Sequence, residues 1–120
     1  MNVVVAQASG EVLNYLIALI EKAPGDALIV QRGRPMIRRS WIGREDFFRC
    51  EFVTNMAQGG VIAERECHTL IKRDGVWQAE CYGPDRFCYS CKGATMLEAA
   101  LRTVAVSRLS YEVSVPEELV

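Results

Sequence analysis

Two segments of this chain, one near each end, carry apolar residues at the spacing of an amphipathic helix. The first follows Ser9, a residue type that caps helix N-termini, and ends at Pro24, which cannot continue the hydrogen-bond ladder. The second begins at Thr95, which has the spacing of a capping box with Glu98, and should end near Leu109. The predicted buried stripes are Val12, Leu13, Leu16, Ile17 and Ile20 in the first helix and Leu97, Ala100, Leu101 and Val104 in the second, with Asn14 and Ala18 on the polar side of the first.

The middle of the chain has the patterns of β-strands. Residues 27–31 form an apolar run of strand length, and Phe48, Cys50 and Phe52 alternate with residues that would face solvent. Asp74-Gly75 favours a tight turn between strands at 68–72 and 76–82, and residues 86–90 offer a third strand. Because no strands alternate with helices, the order predicts one α+β domain over residues 1–120, in which an antiparallel sheet packs against two helices.

Composition narrows the class of protein without assigning an activity. The chain has 120 residues, 50% of them hydrophobic, which suffices for one buried core. Its net charge of −1 does not indicate a broadly basic surface. The N-terminal residues lack the pattern of a signal peptide, and the apolar stretch at 12–20 is far shorter than the roughly 20 residues that span a bilayer. A cytoplasmic protein without a membrane partner is therefore expected.

A polar segment with paired glycines, Thr54 to Gly60, joins the aromatic region to Val61. Glycine pairs permit positive φ or close approach to another group, and loops of this kind often carry function. The segment lacks the lysine and spacing of a phosphate-binding loop, so turn geometry alone also explains it. The candidate binding residues here and on the following hairpin are Asn55, Gln58, Gly59, Gly60, Glu64 and Trp77.

The clearest chemical asymmetry is a run of arginines between residues 32 and 44. Guanidinium groups bind phosphates in a forked geometry, and a tryptophan can stack on a base. The alternative is a solvated hairpin or loop whose charges are offset by neighbouring carboxylates. The candidate residues for nucleic-acid binding are Arg32, Arg34, Arg38, Arg39, Trp41 and Arg44.

Five cysteines, an odd number, are expected to be reduced thiols, most of them buried. Cys88 and Cys91 have the spacing of half a zinc site, which Cys67, His68 and Cys81 would have to complete. On a continuous strand, however, residues three apart face opposite ways, so a turn would have to bring Cys88 and Cys91 together. The adjacent Cys67 and His68 would also face opposite ways, so they cannot form a catalytic dyad with each other. No metal, cofactor or catalytic residues are therefore predicted, although metal binding by these five residues stays open.

Several blocks of the sequence resemble the NinX-type family of bacteriophage and prophage proteins, a family of unknown function. They are residues 8–15, residues 54–66 with Trp77-Gln78-Ala79, and residues 93–102 with 112–119. The family usually has aspartate and tryptophan where this chain has Asn55-Met56, so the resemblance implies no acidic role for Asn55. It implies a small accessory protein in the host cytoplasm, and we expect it to act by binding a protein partner.

Two further hypotheses concern the partner and the assembly. Residues 72–117 also look like a HicB-type antitoxin module, a likeness made mainly of turn and capping residues. The arginine-rich segment supports nucleic acid as an alternative partner. A homodimer through an exposed edge strand or a helix stripe is a further hypothesis, because symmetric dimers are the commonest oligomers.

Overall fold

A computed structural model describes residues 1–119 and contains helices and antiparallel strands in the proportions of an α+β fold. Its helices are α1 (Gly10–Glu21), α2 (Val61–Glu66) and α3 (Met96–Arg108). Its strands are β1 (Asn2–Val4), β2 (Ala27–Gln31), β3 (Arg34–Trp41), β4 (Arg44–Arg49), β5 (Cys67–Arg73), β6 (Val76–Tyr82), β7 (Cys88–Gly93) and β8 (Glu112–Ser114). The predicted α+β class with antiparallel pairing is confirmed.

The strands form three separate sheets instead of the single sheet that was predicted. Strand β1 pairs with β8, the order β2-β3-β4 makes a second sheet, and β5-β6-β7 makes a third. The Asp74-Gly75 hairpin is confirmed, since both residues have positive φ, 52° and 77°, as a tight turn between β5 and β6 requires. The chain between β4 and β5 turns at residues 52–54 and is helical from Met56 to Glu66, so the second sheet is not continued into the third.

The core lies between α1, α3 and the third sheet. Both helices contribute fully buried leucines to it, and α3 also packs on β6 and β7. Ala79, Ala99 and Ala100 form a second buried cluster, in which small side chains let α3 lie close to the sheet. The same closeness explains Gly93, where an added Cβ would lie 2.6 Å from the backbone nitrogen of Ala99. The two predicted helices therefore supply most of the core.

The predicted polar side of α1 is wrong at two positions. Ala18 is fully buried, and Asn14 is only 3% exposed. The side-chain oxygen of Asn14 accepts a hydrogen bond from the backbone N–H of Val53 at 2.9 Å, while its nitrogen donates to Glu11 at 2.7 Å. Because the chain around Val53 covers this side of the helix, α1 is buried over a wider arc than its apolar stripe indicated.

The start of α3 confirms the capping prediction with one change of partner. The hydroxyl oxygen of Thr95 accepts a hydrogen bond from the Glu98 N–H at 3.1 Å. The carboxylate of Glu98 accepts from the N–H of Ala94 at 3.2 Å, one residue before the expected partner, and pairs with Arg102. Ser9 occupies the N-cap position of α1 without a side-chain hydrogen bond.

The aromatic alternation around Cys50 does not form a strand with one buried face. Strand β4 ends at Arg49, and Phe48 is 45% exposed because no second layer covers the sheet at that point. Cys50 is buried, whereas Phe52 lies in the turn that follows. The third strand of the hairpin sheet, predicted at 86–90, lies at Cys88–Gly93, which leaves Phe87 exposed.

A network of ion pairs joins the three α-helices on one side of the molecule. Arg65 of α2 contacts Glu21 of α1 at 2.8 Å, and Glu66 of α2 contacts Arg65 at 2.9 Å and Arg108 of α3 at 2.7 Å. Burial by itself raises the pKa of Glu66, but hydrogen bonds and charges from the two arginines outweigh it and lower that pKa below its ordinary value. Glu66 therefore stabilises the fold in its ionised form.

This network predicts a pH-dependent effect of Glu66→Gln. Because the folded pKa is lowered, the contribution is present above the unfolded pKa, near 4.5, and is lost as the pH falls through the folded value. We expect Glu66→Gln to lower the free energy of unfolding by about 1 kcal/mol at neutral pH, with a smaller difference in acid. Urea unfolding at a series of pH values measures it. Glu64→Gln, at an exposed site on the same helix, is the control, and a pH-independent difference for Glu66→Gln would contradict the assignment.

Candidate functional site

The sheet β2-β3-β4, residues 27–49, stands apart from the rest of the fold and is called the arm here. Its main contacts are those of β3 with α1 and with the C-terminal turn Glu117–Leu119. Pro35 is the one residue of the arm that is buried, and Ile42 at the tip is fully exposed. The molecule is accordingly elongated, with extents of 49 × 28 × 28 Å.

The arm and the remainder of the chain, called the body, carry opposite charge. Residues 27–49 contain six arginines and two carboxylates, a formal charge of +4. Because the whole chain carries −1, the body carries −5. The near-neutral net charge is therefore the sum of a basic arm and an acidic body.

Strand register separates the arm residues into two faces. Residues directly opposite each other in an antiparallel pair share a face, and β3 aligns Met36 with Arg49 and Arg38 with Phe47. The arginine face therefore comprises Ala27, Ile29, Gln31, Arg34, Met36, Arg38, Ser40, Glu45, Phe47 and Arg49, and Arg32 lies in the turn beside it. The tryptophan face comprises Leu28, Val30, Pro35, Ile37, Arg39, Trp41, Arg44, Asp46 and Phe48.

The polar groups of the tryptophan face have hydrogen-bond partners, either on that face or in Asp26 just before β2. Arg39 makes two hydrogen bonds to Asp26, at 2.9 and 3.2 Å, which raise the pKa of Arg39 and lower that of Asp26. Its guanidinium also lies 5.8 Å from the Trp41 ring centre and 5.3 Å from that of Phe48. Asp46 accepts from the Trp41 indole at 2.7 Å and from Arg44 at 3.1 Å. Three predicted nucleic-acid contacts thus have partners within the chain: Trp41 and Arg44 bind Asp46 of the arm, and Arg39 binds Asp26, which precedes it.

The arginine face has charge that the described chain does not neutralise. Within residues 1–119, Arg32, Arg34 and Arg38 form no ion pair, whereas Arg49 pairs with Glu51 at 3.0 Å. A cavity of about 510 Å³ opens on this face, lined by Gln31, Arg32, Arg34, Met36 and Arg49. The arrangement can hold an anion, and it includes three residues, Gln31, Met36 and Arg49, that were not among the candidates from the sequence.

The paired-glycine segment is helical from Met56 onward, where a loop was predicted. Residues Met56–Gly60 form one π-helical turn that leads directly into α2. The side-chain oxygen of Asn55 accepts from the Ala57 N–H at 2.9 Å. Gln58 accepts from the Glu51 N–H at 2.8 Å and donates to the Arg49 carbonyl at 3.0 Å. These side chains hold the exit of the arm against α2.

The two glycines differ in what surrounds them. Gly59 is buried, and an added Cβ would lie 1.9 Å from the Phe52 carbonyl oxygen. Gly60 has ordinary helical φ and ψ, −62° and −35°, and its nearest neighbour is the flexible end of Met56. Glycine is therefore needed at position 59 because the Phe52 backbone lies so close, and not because of a positive φ.

An apolar groove lies beside this segment, at the start of α3. It has a volume of about 400 Å³ and is lined by Val53, Thr54, Met56, Thr95, Met96 and Leu97. Met56 is 57% exposed. Of the other predicted binding residues, Glu64 is exposed on α2, while Trp77 on β6 packs against the buried alanine cluster. Binding by these residues stays a prediction, and Met96 and Leu97 join them as candidates.

The thiols are reduced and mostly covered. Burial raises the pKa of Cys50 to about 11 and that of Cys67 to about 12, and Cys88 is exposed. His68 lies 3.7 Å from the Cys88 sulfur, and alternate burial along β7 turns Cys91 away from Cys88, as predicted. Residues 1–119 hold no group of three or more histidine, cysteine, aspartate or glutamate side chains placed to bind a metal ion.

The fold and the arm define a small α+β protein with a basic arm on an acidic body. The chain matches the family described as Bacteriophage P22, NinX over residues 4–108, and it belongs to this family of phage proteins. Among curated proteins none matches the chain. None of the helices within residues 1–119 is long and apolar enough to cross a membrane.

Proposed function

We propose that this phage protein acts by binding, and that the arginine face of its arm binds the phosphate backbone of a nucleic acid. The observation that carries the proposal is the set of three guanidinium groups, those of Arg32, Arg34 and Arg38, that have no ion-pair partner in the described chain. Guanidinium groups bind phosphate oxygens through paired hydrogen bonds, and counterion release makes such contacts favourable at low salt.

The spacing of the arginines favours a polymer over a single small anion. Arg34 and Arg38 are four residues apart on one strand face, which separates their backbones by about 13 Å. Two guanidinium groups that project from one strand face at this spacing suit successive phosphates of a nucleic-acid strand. Phe47, directly opposite Arg38 and 50% exposed, offers a surface on which a base can stack. The acidic body keeps the polymer on the arm.

The double variant Arg34→Ala/Arg38→Ala tests this proposal. We expect its affinity for a fluorescently labelled single-stranded oligonucleotide to fall about tenfold or more in low salt, because two phosphate contacts are removed. Fluorescence anisotropy measures the affinity. Arg73→Ala is the matched control, since Arg73 is also exposed and forms no ion pair within residues 1–119 but lies on another sheet. Equal affinities for the double variant and the control would refute the assignment.

A protein partner at the apolar groove is the second candidate function. The groove combines exposed Met56 with Met96 at the start of α3, and methionine side chains adapt to varied apolar partners. It adjoins the segment from Thr54 to Gly60, the block that most resembles the family. The observation favours a protein that inserts an apolar side chain. A HicB-like antitoxin role has no comparable support in the geometry and stays a hypothesis.

Charge placed in the groove tests the second candidate. We expect Met56→Glu and Met96→Glu each to abolish capture of a partner that the wild-type protein retains from host lysate, because a carboxylate in an apolar contact is left without a partner. Mass spectrometry of the captured proteins is the measurement. Val76→Glu alters an exposed apolar side chain on the hairpin and should leave capture unchanged. If both methionine variants retain the wild-type set, the groove is not the binding surface.

A further inference from the structure

Strand β4 is one of the two open edges of the arm, since β2 and β4 each pair only with β3 among residues 1–119. The N–H of Cys50, just after β4, donates to the Pro35 carbonyl at 3.0 Å, so residues 50 and 35 are a hydrogen-bonded pair. Such pairs alternate along an antiparallel ladder. Residues 44, 46 and 48 therefore direct their backbone groups to β3, and Glu45, Phe47 and Arg49 direct theirs outward. Gln58 uses one of these outward groups, the Arg49 carbonyl.

The outward residues are complementary to a second copy of themselves. If two β4 strands pair antiparallel about a twofold axis at Phe47, Phe47 lies opposite Phe47 and Glu45 lies opposite Arg49, twice. The backbone groups that point outward are those of the same three residues. In this register the Arg49 carbonyl, which already accepts from Gln58, also accepts from the Glu45 N–H of the other copy, and its two lone pairs permit both bonds. Aromatic pairs and opposite charges across strands each stabilise a sheet by about 0.2–1 kcal/mol.

We propose that two copies of this chain associate through β4 to form one six-stranded antiparallel sheet with its twofold axis at Phe47. The exposed aromatic pair Phe47 and Phe48, 50% and 45% exposed, gives this edge apolar area that a free edge strand usually lacks. All of Glu45, Phe47 and Arg49 lie on the arginine face. The dimer thus joins the arginine faces of two arms into one continuous surface.

The charges of β4 favour a second copy of this chain as the strand that pairs with it. The segment from Glu45 to Arg49 carries a carboxylate at one end and a guanidinium at the other, so an antiparallel copy brings opposite charges together at both ends. A strand from another protein would need a carboxylate and a guanidinium at the same spacing and in the same N-to-C order. The proposal does not depend on nucleic-acid binding, and it is tested on the protein alone.

Charge reversal with rescue tests the register. Sedimentation equilibrium over a concentration series should show a monomer–dimer equilibrium for the wild-type chain. Glu45→Arg places like charges opposite each other twice and should weaken the dimer about tenfold or more. The double variant Glu45→Arg/Arg49→Glu exchanges the two charges and should restore it. A wild-type monomer at every concentration, or a double variant as weak as the single one, would overturn the proposal.

A cross-link keeps the test decisive if a charge variant does not fold. In a Cys88→Ser background, Phe47→Cys puts two cysteines opposite each other about 5.5 Å apart at their Cα atoms, within the range of a disulfide. Mild oxidation should yield a covalent dimer. Phe48→Cys, whose side chain is on the tryptophan face opposite Asp46 of the other copy, should yield far less. Equal yields for the two variants would refute the register even if a dimer forms.

Discussion

Gly59→Ala is expected to destabilise the protein by about 3 kcal/mol or more, or to prevent folding. The added Cβ would lie 1.9 Å from the Phe52 carbonyl oxygen and 3.3 Å from the Leu101 side chain. Neither neighbour can yield easily, because the first is backbone and the second belongs to the core. Equilibrium unfolding in urea, followed by circular dichroism, measures the change.

The adjacent glycine provides a matched control. Gly60→Ala adds the same methyl group at helical φ and ψ, and its nearest neighbour is the terminal carbon of Met56 at 3.0 Å, which can rotate away. Alanine is favoured over glycine in helices by about 1 kcal/mol, so this variant should be neutral or slightly stabilised. Similar losses in the free energy of unfolding for Gly59→Ala and Gly60→Ala would contradict the close approach of Gly59 to the Phe52 carbonyl.

Asn14→Ala should have the second largest effect, a loss of about 2 to 3 kcal/mol in the free energy of unfolding. It removes the acceptor of the Val53 N–H and leaves that buried donor without a partner, which costs about 1–3 kcal/mol, and it adds a small cavity. Urea unfolding again provides the measurement.

Asn55→Ala controls for the loss of an amide hydrogen bond as such. Its oxygen also accepts from a backbone N–H at 2.9 Å, but the Ala57 donor is exposed and water can replace the acceptor. We expect a loss of about 1 kcal/mol or less. Equal losses in the free energy of unfolding for Asn14→Ala and Asn55→Ala would contradict the claim that burial makes the Asn14 hydrogen bond the more stabilising of the two.

The elements that depend on local patterns were predictable from the sequence. Helix α3 with its Thr95 cap, and the Asp74-Gly75 hairpin, follow from interactions within a few residues. Asn14 was assigned to the wrong side because its burial depends on Val53, 39 residues away. The alternation around Cys50 predicts a strand with one buried face that includes Phe48. Alternation shows that the two faces of a strand differ, but it does not show which face another layer covers.

The sequence identified the segment that contains the candidate site, but not which of its side chains lie together on one surface. Arginine content identified residues 32–44, but no strand was predicted there, so the shared face of Arg34 and Arg38 follows only from strand β3. Which arginines are neutralised depends on cross-strand register and on Asp26, and neither is readable from composition. Arg49 and Phe47 reach the arginine face only through pairing of β3 with β4.

The salt dependence of oligonucleotide binding tests the central claim most directly. If Arg32, Arg34 and Arg38 each contact a phosphate, the logarithm of the association constant should fall with the logarithm of salt concentration at a slope of about −2 for a single strand. Fluorescence anisotropy of the wild-type protein at several salt concentrations gives that slope. An absence of binding at low salt, or an affinity that does not change with salt, would contradict the assignment of the arm as a phosphate-binding surface.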